Sequence, residues 1–206
     1  MTFPNEKFYS MKEYSKEYFN KYAEAIASID SDKLDKASEL LTTVYQEKKI
    51  LYVCGNGGSA SISNHLACDH GKLVATDTQL SPKIHSLASN VAVLTAIAND
   101  VSYDDVFINQ LKLLAEAGDV LMTISASGDS QNVVSVAQWA RDFGLDVICL
   151  TGFSGGRTAK IATVNIHVEA DNYGIIEDAH QSVMHLLGQY IRQSYMDETV
   201  IKNRLF

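Results

Sequence analysis

The sequence is short of proline, cysteine and positive charge. Only Pro4 and Pro82 interrupt its 206 residues, and neither lies in a stretch rich in Pro, Gly or Ser, so no flexible linker divides the chain. Cys54, Cys68 and Cys149 are odd in number and lack CxxC spacing. That argues against a disulfide framework and for reduced thiols in an intracellular protein. Lys and Arg total 17 against 25 Asp and Glu, a formal charge of −8, with no basic block to offset it locally. Nucleic acid is therefore not an expected partner. No apolar run approaches the ~20 residues that span a bilayer, and the start MTFPNEKFYSMKEYSKEYF lacks the basic-then-apolar layout of a signal peptide. The expectation is a cytoplasmic protein with no membrane partner.

What is present is 46% apolar residues, enough for one compact core. The first part of the chain has helical periodicity. Met11, Tyr14, Tyr18, Tyr22, Ile26 and Ile29 form one stripe, and Leu34, Ala37, Leu41 and Val44 form another after SIDSD. Ser31 or Asp32 is the expected N-cap of the second helix. From Lys49 the pattern changes. KILYVC (49–54), KIHSLA (83–88), DVLMTIS (119–125), LDVICLT (145–151) and VNIHVE (164–169) are short and rich in β-branched residues. Between and after them, helical patterns run over 58–75, 90–99, 103–116, 130–143 and 175–195, with the glycines of AEAGD and RDFGLD available to end two of them. Strand and helix alternate, which predicts an α/β domain with a parallel sheet flanked by helices, three layers deep. Residues 1–48 form an N-terminal helical pair of the same domain, and 49–206 carry the sheet.

Two loops are suited to an anion. GNGGSA (55–60) joins the first strand to a helix, a place where ligands bind in such sheets. Its glycines admit an anion close to the backbone, beside the N–H donors of a helix start. Alone this is weak, because a glycine turn after a strand is often structural. SASGDS (125–130) repeats the arrangement after DVLMTI and offers three hydroxyls around Gly128. Serines so spaced suit a phosphate monoester, although Ser130 could simply cap the next helix.

Two helices carry chemistry. In NHLACDH (64–70), His65 and Asp69 are four residues apart and share a face, about 40° apart by helix counting. The last long helix, IIEDAHQSVMHLL (175–187), carries Glu177, Asp178, His180 and His185. Helix counting does not choose among these partners; it sets Gln181 and Asp178 near the His185 face and Glu177 about 80° away. Cys68 is offset from the His65 face and is expected to pack as a small apolar group. His70 and His180 are expected to be hydrogen-bonded structural residues or outer partners of the ligands.

CGNGGSA, AIANDVSYDDVF and TISASGDSQNV, with EDAHQSVMH in the closing helix, together resemble the sugar isomerase (SIS) domain family, in particular the phosphoheptose isomerases acting on D-sedoheptulose 7-phosphate. The resemblance spans essentially the whole chain. It implies a single SIS domain, with the helical pair as an oligomer contact, and a homotetramer with its sites at subunit interfaces. It implies a place in bacterial heptose synthesis for lipopolysaccharide or capsule. By the same resemblance Asn56, Gly57, Gly58, Ser59, Asn99, Asp100, Ser125, Ser127 and Ser130 hold the phosphosugar, and His65, Asp69, Glu177 and His185 hold zinc. Three departures are visible: Ala126 replaces the family's threonine, Asp69 its glutamate and Glu177 its glutamine. All the substituted ligands remain oxygen donors suited to zinc or another divalent ion.

The implied reaction is an aldose–ketose isomerisation through an enediol, with Asp69 or Glu177 as base and His185 as acid or proton shuttle. The metal would polarise the C1 and C2 oxygens. Ligation and base chemistry compete for Asp69. Two other readings stand beside this one. The substrate is a pentose or hexose phosphate, or the chain is a non-catalytic phosphosugar-binding protein.

Overall fold

The computed structural model describes residues 3–206; the first two positions of the 1–48 segment lie outside the described residues. Two helices open the chain, α1 (Met11–Ala27) and α2 (Ser31–Gln46). The α2 N-cap is Asp30, whose carboxylate accepts from the Asp32 N–H at 2.9 Å, and not Ser31 or Asp32. Asp30 has extended dihedrals whereas Ser31 is already helical, so the capping geometry falls one residue earlier than the sequence suggested.

The alternating part follows as β1 (Ile50–Cys54), α3 (Gly58–Leu73), β2 (Lys83–Ser86), α4 (Val91–Asp100), α5 (Ile108–Leu114), β3 (Val120–Ser125), α6 (Gln131–Phe143), β4 (Asp146–Thr151), α7 (Thr158–Ile161), β5 (Val164–His167), α8 (Tyr173–Ser194) and α9 (Glu198–Ile201). The helix expected over 103–116 is broken. A 3-10 turn occupies Tyr103–Asp105, where the Ser102 hydroxyl donates to Asp105, and α5 begins afterwards. It stops at Leu114 because the Asp119 carboxylate takes the Glu116 N–H at 2.8 Å and the Ile50 N–H at 2.9 Å, tying that turn to the start of β1. Gly144, at φ +93, does end α6.

The five strands are all parallel in the order β2-β1-β3-β4-β5. Alternation along each strand feeds two cores. Leu51, Val53, Met122, Ile124, Ile148 and Leu150 face α2, α3 and α8. Tyr52, Cys54, Leu121, Val147 and Cys149 face α5 and α6. The three central strands β1, β3 and β4 are covered on both sides and read as nearly continuous apolar runs, whereas the edge strands β2 and β5 are only partly buried. The chain leaves β1 toward β2 on one side and toward β3 on the other. The sheet therefore changes direction between β1 and β3, and the crevice at their carboxyl ends is the place for a ligand. Among the described residues no helix is long and apolar enough to cross a membrane.

α1 lies on α8, with the Tyr18 hydroxyl donating to Asp178 at 2.6 Å and Tyr22 bonded to Ser182. α3 is locked to α8 through His70. Its Nδ1 meets the Tyr45 hydroxyl at 2.7 Å and its Nε2 meets the Met184 carbonyl at 2.9 Å. This imidazole is fully buried, and burial lowers its pKa, so it is a neutral pin between helices. Gly188 lets the two helices approach there, since a Cβ at that position would stand 3.0 Å from the His70 ring.

Candidate active site

Both glycine loops emerge at the switch point, one from β1 and one from β3. Gly57, at φ +55, turns the chain into α3 and is its N-cap. Asn56 and Asn132 exchange side-chain amide bonds at 2.9 Å and stitch the loops together, with the Tyr103 hydroxyl adding a third bond to Asn56. In the second loop the Ser125 and Ser127 hydroxyls accept from the N–H groups of Gly128 and Asp129, which leaves both O–H protons available to a ligand. Ser130 takes the N-cap position of α6 without a side-chain capping bond, so its hydroxyl is uncommitted. Ser59 lies buried in the first turn of α3. The two helix starts stand side by side at the ends of β1 and β3, one carrying Ser59 and the other preceded by Ser125, Ser127 and Ser130, an arrangement suited to an anion with several oxygens. Beside it, a cavity of about 220 Å³ runs between Asn56, Gly57, Leu94, Thr95 and Tyr103. Asn99 and Asp100 end α4, bonded to each other at 2.8 Å and exposed, and neither bonds to a glycine loop.

Further along α3, His65 and Asp69 stand opposite His185 of α8. Their donor atoms lie within 4.8 Å of one another. Asp69 Oδ2 is 3.3 Å from His65 Nε2 and 3.4 Å from His185 Nε2, and the two rings meet edge to face at 5.1 Å. One ion can bridge donors this close, and two imidazoles with one carboxylate suit a divalent transition ion. The site is open: His65 is 46% exposed and His185 39%. The buried stripe of α3 is Ser59, Ile62, Ser63, Leu66 and His70, and His65 lies outside it. Cys68 lies outside it too and is exposed rather than packed, contrary to the sequence expectation.

Glu177 is absent from this cluster. Its half-buried carboxylate sits against the head of α3, where a Cβ on Gly58 would collide with it, and among the described residues it makes no hydrogen bond or ion pair. Eight residues along a helix are about 12 Å of axial rise, so Glu177 sits at the level of the loops whereas His185 sits at the level of His65. Gln181, between them, is the residue that helix counting set near the His185 face without giving it a role. Its amide lies 3.0 Å from His65 Nδ1 and 3.2 Å from His185 Nε2, holding both rings. Its spacing of four from His185 was the available signal. Asp178 is turned away to Tyr18. His180 is fully buried with its ring close to the Thr151 backbone, and it has no polar contact with the three clustered side chains; burial brings its pKa down to about 4.

The loop that follows β4 braces the second glycine loop. The Thr158 N–H donates to the Gly128 carbonyl at 3.0 Å and the Gly152 N–H to the Ala126 carbonyl at 2.8 Å. The approach requires glycine. A Cβ on Gly128, at φ +61, would stand 2.1 Å from the Gly155 oxygen.

Comparison with known proteins accords with this arrangement. Residues 14–152 match the model of the SIS domain family. The probable phosphoheptose isomerase of Thermoplasma volcanium is 35% identical over 87% of this chain and 91% of its own length. The phosphoheptose isomerase of Sulfurimonas denitrificans is 32% identical over 92% of this chain and all of its own. The structure of the phosphoheptose isomerase GmhA from Neisseria gonorrhoeae superposes with a TM-score of 0.81 at 29% identity, covering 89% of this chain and 100% of that one. The chain belongs to the SIS domain family, among the phosphoheptose isomerases.

Proposed function

We propose that the protein interconverts D-sedoheptulose 7-phosphate and the corresponding aldoheptose 7-phosphate. The observation that carries this is the placing of His65 and Asp69 on the helix that starts at the first glycine loop, with His185 of α8 facing them. From Gly58 to His65, α3 rises about 10 Å, the order of length of an extended seven-carbon chain with its phosphate ester. Ser59, Ser125, Ser127 and Ser130 hold the phosphate, and the reacting carbons lie toward the histidines. Glu177, at the level of the loops and without a hydrogen bond or ion pair among the described residues, accepts hydrogen bonds from hydroxyls of the sugar chain.

His65, Asp69 and His185 would hold a divalent ion, zinc in this reading, which when bound polarises the oxygens of C1 and C2. In this reading the proton at C1 passes to the Asp69 carboxylate oxygen that would not hold the ion, and the C2 oxygen takes one from the His185 ring nitrogen that would not, giving the enediol. A proton then returns to C2 and one leaves the C1 oxygen, which yields the aldose. Gln181 keeps both imidazoles oriented.

The chain acts as a homotetramer in the cytoplasm, where sugar phosphates are made and consumed, with residues 1–48 contributing to subunit contact. The reading is tested by an NMR time course on sedoheptulose 7-phosphate with zinc-loaded protein. Turnover is expected for the wild type, and a loss of at least about 100-fold for His185→Ala with unchanged thermal unfolding. Undiminished His185→Ala activity overturns the assignment; wild-type turnover of only a pentose or hexose phosphate overturns the substrate. Binding without turnover makes the chain a sugar-phosphate sensor.

A further inference from the structure

Asp129 is out of place in a loop built for an anion. It lies between Gly128 and Ser130, where the other side chains are hydroxyls, a methyl group and hydrogen. A carboxylate there adds repulsion toward a phosphate dianion at the same helix start. Arg157, at the head of α7, meets it. Arg157 Nε is 2.5 Å from Asp129 Oδ1, one terminal nitrogen donates to the Asp129 carbonyl at 2.8 Å, and the other donates to Gln131 Oε1 at 2.9 Å. The glycine-to-glycine approach of the two loops brings the guanidinium there, since Gly155 and Gly156 both run at positive φ against Gly128. The pair holds the Asp129 carboxyl below the usual carboxylate range. Both groups are about half exposed, so an ion pair here contributes little to stability. Its effect on the charge of the loop is a separate matter.

We infer that Arg157 is a positioning residue for substrate binding that acts through Asp129, cancelling the one negative charge in the phosphate loop so that the crevice accepts a dianion. The inference rests on the reading of this loop as the phosphate site. It predicts opposite effects from the two halves of one ion pair. Arg157→Gln leaves the carboxylate uncompensated and raises KM for the sugar phosphate, and the inhibition constant of inorganic phosphate, about tenfold, with kcat within about twofold. Asp129→Asn leaves the guanidinium in excess and lowers both, by about threefold. The double variant returns to within about threefold of the wild type.

A bracing role predicts otherwise, because both single variants break the same contact and both would weaken binding. Equal weakening by the two, no change in Arg157→Gln, or a double variant as poor as Arg157→Gln overturns the inference. Arg157→Lys, which keeps the charge, is expected to stay within about threefold of the wild type even where it lowers the melting temperature; a tenfold loss in it favours bracing. If wild-type protein is neither inhibited by inorganic phosphate nor active on any sugar phosphate, the phosphate-site reading fails first, and that result is distinct from the others.

Discussion

Gln181 and Glu177 divide between them what a single side chain on α8 was expected to do. Gln181 touches both imidazoles, at 3.0 and 3.2 Å, whereas Glu177 rests on Gly58 near the loops. Groups that orient metal-binding histidines typically change metal affinity 10- to 100-fold when removed. Gln181→Leu should therefore weaken zinc binding by about that factor, read by competition with a chromophoric chelator. Glu177→Gln should leave zinc affinity within about threefold while raising KM for the sugar. The reverse result, zinc lost from Glu177→Gln and kept in Gln181→Leu, would return Glu177 to the ligand set. Helix counting could not decide this in advance. It gives the angle around an axis, but the level along α8 at which α3 crosses depends on packing at His70 and Gly188.

At the scale of elements, the crevice depends on backbone approach between loops. Gly128→Ala would force an L side chain into left-handed backbone, at about 1–2 kcal/mol, and set its Cβ 2.1 Å from a backbone oxygen that no rotamer change can move. We expect a fall in stability of at least about 2 kcal/mol, measured by denaturant unfolding, with loss of inhibition by inorganic phosphate. Wild-type stability in that variant would mean that the two loops are not in contact. The three central strands were legible because burial on both faces makes them apolar runs, and the glycines after β1 and β3 marked the crevice. The end of β2 was less so. It stops at Ser86 instead of running to 88, because the Ser86 hydroxyl accepts the Ala88 N–H and its carbonyl takes the Ser89 hydroxyl, turning the chain. The Arg157 contact was not legible at all, since nothing local links residue 157 to residue 129 until both loops are folded.

For the whole molecule, the clearest unbalanced surface is α4. VAVLTAIAND is apolar around most of its circumference, yet none of its residues is buried in the single chain, and Val91 is 68% exposed. A helix apolar on nearly every side is normally covered, and exposed apolar patches of this kind mark association surfaces. A second copy of the chain is the occupant consistent with a tetramer, and α4 flanks the cavity beside Asn56, so assembly there would also close the crevice. Light scattering on the eluting protein should give a mass of four chains. Val91→Asp would bury an unpaired carboxylate in that contact, a cost of several kcal/mol, so dissociation should shift by at least about 100-fold in concentration. Activity should fall with the mass and recover on raising the protein concentration, because the crevice is then re-covered. A variant that keeps the wild-type mass and rate would remove α4 from the interface, and a monomeric wild type with full activity would remove the tetramer.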